Sequence, residues 1–265
     1  MNHIPRKRFG QNFLRDSTVI ARIIQAVTPT AEDHLVEIGP GEGVLTRELL
    51  PLCRRLDAVE LDRDLVKQLS HRFQGEPRFH LHSADALSFD FKALHQGTPL
   101  RLIGNLPYNI STPLLFWLFG QLEPVKDLHF MLQKEVVERL CAQPGSKDYG
   151  RLTVMAGYYC EAEHLFDVDA DSFHPPPKVT SSIIRLRPHV CPPVSVSHEA
   201  LGRIVMAAFS QRRKTLRNAL KDHIDESGFE RAGIDPGRRA ETLSLSDYAS
   251  LTVMAESLGH PSAPK

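Results

Sequence analysis

The 265-residue chain lacks several features that would place it quickly, and each absence excludes a class of protein. No apolar run approaches the ~18 residues that a membrane-spanning helix needs, so no membrane partner is expected. Its four cysteines, Cys53, Cys141, Cys160 and Cys191, are widely spaced with no CxxC pair. That argues against a disulfide framework or a zinc site and fits reduced thiols in a cytoplasmic protein. No metal site is expected: His80 and His82 alternate on a predicted strand and read as two solvated side chains. Formal net charge is +0, so the protein is not a polycation, and any nucleic-acid binding must come from local basic patches. The residues 1–15 hold Arg6, Lys7, Arg8 and Arg15 and no acid. A transit peptide is the competing reading, but Gly10, Gln11 and Asn12 interrupt any amphipathic helix there. A basic arm belonging to the folded protein is expected.

What is present is an alternation of strand-like and helix-like patterns from about residue 17 to 187. Residues 18–27 read as a helix with Ser17 as N-cap. Strands are expected at 34–38, 55–61, 78–82, 100–104 and 128–132. Helices are expected at 43–52, 62–73 (with Asp62 as cap), 110–119 and 133–141. Residues 151–160 and 182–187 supply further elements. The alternation argues a parallel, doubly wound α/β sheet. Pro188, Pro192 and Pro193 then break the pattern. Beyond them 198–209, 214–222 and 247–258 read as helices, with a frayed tail from Gly259. The expected organisation is an α/β domain over 1–190 and a small all-helical domain over 195–265.

The first strand runs into Glu37-Ile38-Gly39-Pro40-Gly41-Glu42-Gly43. A glycine-rich turn after strand one is where α/β folds bind nucleotides. The dinucleotide fingerprint is GxGxxG, but here the glycines stand at 39, 41 and 43, and Val44 holds the third dinucleotide position. No P-loop Lys-Ser/Thr follows. This spacing suits a ligand with an adenosine but no pyrophosphate, and S-adenosylmethionine fits that description. Glu37 is placed to organise the loop. Glu60 ends strand two, where a carboxylate can bind both ribose hydroxyls. Asp85 follows strand three and can accept from an adenine amine. Taken singly, each acid is more often a surface or capping residue; three on one rim of a parallel sheet make a site.

Strand four ends on the same rim in Asn105-Leu106-Pro107-Tyr108. The amine of adenine is a poor nucleophile because its lone pair is delocalised into the ring. The Asn105 carboxamide oxygen and the Leu106 carbonyl are two acceptors that can draw that lone pair back onto nitrogen. Pro107 stiffens the loop, and Tyr108 offers a face for stacking. By itself the tetrapeptide could be an ordinary strand-to-helix turn with a buried tyrosine.

These motifs closely resemble the ribosomal RNA adenine dimethyltransferases of the KsgA (RsmA) type. The resemblance covers nearly the whole chain. It is carried by residues 6–14 (RKRFGQNFL), 37–43, 105–108, 173–181 (FHPPPKVTS) and 209–216 (FSQRRKTL). It implies a Rossmann-like class I methyltransferase with Asn12, Leu14, Gly39, Gly41, Glu60, Asp85 and Asn105 at S-adenosylmethionine, which leaves as S-adenosylhomocysteine. Phe173 would pack on the target base opposite Tyr108 or at its edge. It implies dimethylation of two adjacent adenosines near the 3′ end of 16S rRNA, late in small-subunit (30S) assembly, by a monomeric enzyme. RNA contact falls to Arg6, Lys7, Arg8 and Lys178 and to Arg212, Arg213, Lys214, Arg217 and Lys221, with Lys214, Arg217 and Lys221 on one helical face. Competing readings are a large-subunit rRNA methyltransferase of the macrolide-resistance type, a DNA adenine methyltransferase, and a non-catalytic assembly or transcription factor on the same fold.

Overall fold

The computed structural model describes residues 12–211 and 213–257. They form two compact units. The first comprises residues up to Val137 together with Ala162–Pro188; the second comprises Glu138–Glu161 and the residues from His189 on. The expected single break at 190–195 is thereby corrected, because residues 138–161 belong with the helical C-terminal part.

The strands are β1 (Phe13–Leu14), β2 (His34–Ile38), β3 (Arg55–Glu60), β4 (Phe79–Ser83), β5 (Leu100–Asn105), β6 (Val125–Gln133), β7 (Cys160–Val168), β8 (Phe173–His174) and β9 (Ser181–Pro188). Seven of them form one sheet in the order β4-β3-β2-β5-β6-β9-β7, and β1 pairs with β8 in a separate two-stranded ribbon. From β4 to β6 the strands are parallel, and β9 runs antiparallel to β6. The sheet is therefore mixed, not parallel throughout. β2 is buried at all five positions, as a strand covered on both faces must be.

The helices are α1 (Ser17–Val27), α2 (Val44–Leu49), α3 (Arg63–Arg72), α4 (Ser111–Phe119), α5 (Lys134–Leu140), α6 (Arg151–Tyr159), α7 (His198–Ser210), α8 (Leu216–Ala219), α9 (Glu226–Ala232) and α10 (Leu245–Ser257). α1 lays Val19, Ile20, Ile23 and Val27 into a core shared with Leu35, Leu49, Leu56 and Ile103. Its N-cap is Asp16, not Ser17: the Asp16 carboxylate accepts from the backbone of both Thr18 and Val19, at 2.8 and 3.2 Å. An ionised acceptor serving two free helix donors outcompetes a hydroxyl. Asp62 caps α3 as expected, accepting from Asp64.

The second unit is helical. α6 buries Leu152, Val154, Met155, Ala156 and Tyr158 and packs on α7, which is why it leaves the sheet unit. Buried tyrosines pin the loops: Tyr149 donates to the Leu243 carbonyl, Tyr248 to Ala240 and Tyr158 to Val196. The helix expected over 214–222 shrinks to α8. Thr215 forms a bridge with Arg239, and the backbone N–H groups of Leu216 and Arg217 bond to the Arg238 and Pro236 carbonyls. Lys214 and Lys221 thus lie outside the helix, and the single basic face expected for Lys214, Arg217 and Lys221 is not formed. Among the described residues no helix is long and apolar enough to cross a membrane.

Candidate active site

Parallel register brings the ends of β4, β3, β2 and β5 to one rim: Glu60 stands opposite Ser83, Ile38 opposite Val59, and Glu37 opposite Ile103. A pocket opens there. Its walls include Asn12, Leu14, Gly39, Gly41, Glu60, Asp85, Asn105, Leu106 and Tyr108, so the structure collects every expected cofactor-site residue and the tetrapeptide in one cavity.

The floor is the turn after β2. Gly39, Gly41 and Gly43 all have positive φ (66°, 57° and 75°), which side-chain-bearing residues rarely adopt. The turn is tied to β3 by the Gly41 N–H, which donates to Glu60 Oε2 at 3.2 Å; Oε1 accepts from the Asp62 N–H at 2.9 Å. Glu37 lies beneath, accepting from the Thr46 hydroxyl at 2.5 Å. Both acids are buried. Burial pushes the Glu37 carboxyl up to about 7, against the opposing Thr46 hydrogen bond. Burial likewise raises Glu60, opposed by the N–H groups of Asp62 and Gly41. Among the described residues neither acid has a cationic partner. Asp85 is more exposed, and its carboxylate accepts from the Leu87 N–H at 2.9 Å.

Three tethers hold the tetrapeptide. Asn105 Nδ2 donates to the Asn12 carbonyl at 3.0 Å. The Leu106 N–H donates to the Met131 carbonyl on β6 at 3.1 Å. The Tyr108 hydroxyl shares a hydrogen bond with Ser181 Oγ on β9 at 2.6 Å. The first tether has a chemical consequence. An amide whose NH2 is engaged by a carbonyl must turn its oxygen the other way, so Oδ1 stays available to accept. Gly104 lets this end of β5 close onto β2, since a Cβ there would lie 2.5 Å from the Ile38 carbonyl oxygen.

Sequence reasoning missed two contributors. Phe13 covers the glycine turn, with ring carbons 3.1 Å from where a Gly41 Cβ would stand. Ser181 anchors Tyr108. Neither carries a local signal, because each acts across a long sequence gap. Phe173 is a correction: it is 4% exposed, belongs to the hydrophobic core and is not part of the pocket wall. Its partner in the β1–β8 ribbon is Leu14, which turns it inward. Lys178 is exposed on the first unit. Arg213, Lys214, Arg217 and Lys221 are exposed on the second, where Arg217 pairs with Glu226 at 2.6 Å. Arg6, Lys7, Arg8 and Arg212 lie outside the described residues, as does the tail from Gly259.

A sheet of this order with a glycine turn, rim acids and an amide-bearing loop in one pocket defines a Rossmann-like class I methyltransferase. Solved structures agree. The chain resembles a dimethyladenosine transferase from Plasmodium falciparum (TM-score 0.77, 26% identity, 93% of this chain and 98% of that one). It also resembles the 23S rRNA methyltransferase ErmE (TM-score 0.70, 28% identity, 92% of this chain and 100% of that one). The chain belongs to the ribosomal RNA adenine dimethylase family, whose profile matches residues 2–256. Its relatives include the ribosomal RNA small subunit methyltransferase A of Methylococcus capsulatus, 60% identical over 95% of this chain and 98% of that one. That of Nitrosococcus oceani is 54% identical over 95% and 96%.

Proposed function

We propose that the chain transfers methyl groups from S-adenosylmethionine to the exocyclic amines of two adjacent adenosines near the 3′ end of 16S rRNA, acting as a cytoplasmic monomer on a late small-subunit precursor. The observation that carries this reading is the Asn105 amide, tethered so that its oxygen is free, in the same pocket as the glycine turn. The small-subunit names of the relatives at 50–60% identity favour 16S rRNA over the large-subunit alternative.

The residues present fit the cofactor. Two buried acids without a cationic partner suit a ligand bearing a sulfonium and an ammonium, and the positive-φ turn admits it against backbone. Asn12, Leu14, Gly39, Gly41, Glu60 and Asp85 would hold it, with Glu60 toward the ribose and Asp85 toward the adenine. When bound it supplies an electrophilic methyl group. The target adenosine leaves its stack to enter the pocket, and Tyr108 stacks on it, a contact worth roughly 1–3 kcal/mol. Asn105 Oδ1 and the Leu106 carbonyl accept from the amine and restore its lone pair. The methylated amine is acidic and loses its proton to water, so no side chain need serve as base. Rate then comes from positioning and electrostatics. Lys178, Arg212, Arg213, Lys214, Arg217, Lys221 and the arm residues Arg6, Lys7 and Arg8 would contact phosphates.

The test is mass spectrometry of rRNA from unmodified immature small subunits incubated with the purified chain and S-adenosylmethionine. Two adjacent dimethyladenosines in the 3′ fragment of 16S rRNA are expected. Label in 23S rRNA or in DNA instead, or in no acceptor, would overturn the reading.

A further inference from the structure

We propose that Ser181 is a positioning residue for methyl transfer, holding the Tyr108 ring in the plane where it receives the target base. The inference rests on the methyltransferase reading above and goes beyond it, since Ser181 does not line the pocket and acts through Tyr108.

Tyr108 sits in the turn between β5 and α4, half-buried and lining the pocket. Rotation about the bond to an aromatic ring is soft and roughly two-fold, so a ring fixed only at its backbone swings. A stacking platform has to present one plane. The hydroxyl adds nothing to the ring face that stacks; here it reaches Ser181 Oγ at 2.6 Å. Ser181 is fully buried at the first position of β9. Antiparallel register sets it opposite Gln133 and sets Ile183 opposite Met131. Met131 also supplies the carbonyl that holds Leu106. Acceptor loop and stacking ring are therefore referred to one rigid strand pair. Alternation along β9 makes the assignment specific. The next hydroxyl, Ser182 Oγ, turns to the other face and donates to Asp167 at 2.6 Å. Of these two serines, Ser181 is the one whose hydroxyl meets Tyr108. Preorganising the ring before the base arrives removes an ordering cost from the reactive complex.

The experiment is a double-mutant cycle of Ser181→Ala, Tyr108→Phe and the pair. It reads kcat and KM for unmodified immature small subunits, with cofactor affinity from calorimetry. Each single substitution removes one end of the same hydrogen bond and is expected to lower kcat about 3–10-fold. The double variant should be no slower than the slower single, and S-adenosylmethionine affinity should stay within about two-fold of the unaltered chain. A general loosening of the β6–β9 pair would lower the melting temperature and cofactor affinity together with kcat. Effects that multiply in the double variant, a Ser181→Ala enzyme as fast as the unaltered one, or a parallel fall in cofactor affinity would each overturn the proposal. Should Ser181→Ala fail to fold, Tyr108→Phe decides alone, because it cuts the bond without touching β9: unchanged kcat overturns the proposal. If the unaltered chain methylates no rRNA, the parent reading falls and this one with it. If it methylates while the variants behave additively, only the role of Ser181 is lost.

Discussion

The two ends of one sheet treat buried charge in opposite ways. At the end where β2, β3 and β5 begin, the buried acids Asp33, Asp57 and Asp127 each have a cation or an imidazole. Asp57 accepts from His34 at 2.6 Å, His82 at 2.7 Å and the Arg55 guanidinium at 2.6 and 3.0 Å. Arg101 bridges Asp33 at 2.7 Å and Asp127 at 2.8 Å and caps the Val27 carbonyl at 2.6 Å. Burial alone would raise Asp57 and Asp33, but their hydrogen bonds outweigh it and hold both below the usual carboxylate range. At the pocket end, Glu37 and Glu60 are as deeply buried yet, among the described residues, have only hydroxyl and backbone donors, and both are raised. Compensated charge at one end holds the strands in place. Uncompensated charge at the other is tolerable where a cationic ligand completes the site.

The sharpest way to break this contrast is at Arg101. Arg101→Leu leaves Asp33 and Asp127 buried with no guanidinium and removes one of the two donors to the Val27 carbonyl, which keeps the Thr28 hydroxyl. A loss of about 3–5 kcal/mol in unfolding free energy is expected, read by urea denaturation. A loss under about 1 kcal/mol would show that the paired end is not what stabilises the sheet. The next largest effect belongs to the pocket end and falls on rate. Asn105→Ala removes the amine acceptor, and kcat should fall roughly 10²–10³-fold with the melting temperature nearly unchanged. Equal losses of stability and rate would erase the distinction between the two ends.

Most of the rim was legible from the sequence, because strand ends, glycine spacing and acids at fixed intervals are local signals. Asp62 as cap and Glu37, Glu60, Asp85 and Asn105 on one edge follow from such signals plus the geometry of a parallel sheet. What was not legible depends on partners far along the chain. The carbonyl that orients Asn105 is 93 residues away and the hydroxyl that anchors Tyr108 is 73 away. His82 read as solvated, yet it pairs with Asp57 across 25 residues. Phe173 looked like a pocket aromatic until its ribbon with Leu14 turned it into the core. The 214–222 helix looked continuous by pattern, but the strand-like bridge at Thr215 took its first turn. Residues 138–161 looked like part of the sheet domain, since periodicity does not say which core a buried face joins.

The smallest effect tests the pocket end by titration. The Glu37 carboxyl is raised to about 7 in the folded chain, from an ordinary value of 4.5. Between these values the folded state keeps a proton that the unfolded state has released. Stability from this group is therefore complete below about pH 4.5 and is lost as pH rises to about 7. Glu37→Gln leaves the Thr46 hydroxyl an acceptor and removes the titration. The melting temperature of the ligand-free variant should gain on that of the unaltered chain as pH rises through that window. Parallel melting curves for the two would refute the burial argument. The same charge makes a binding prediction of opposite sign. A cationic ligand favours ionised Glu37, so S-adenosylmethionine should bind the unaltered chain more tightly as pH rises from 5 to 8, and Glu37→Gln should flatten that slope. Neutral S-adenosylhomocysteine lacks the sulfonium charge and should show a weaker slope, which separates the charge effect from any change in pocket shape.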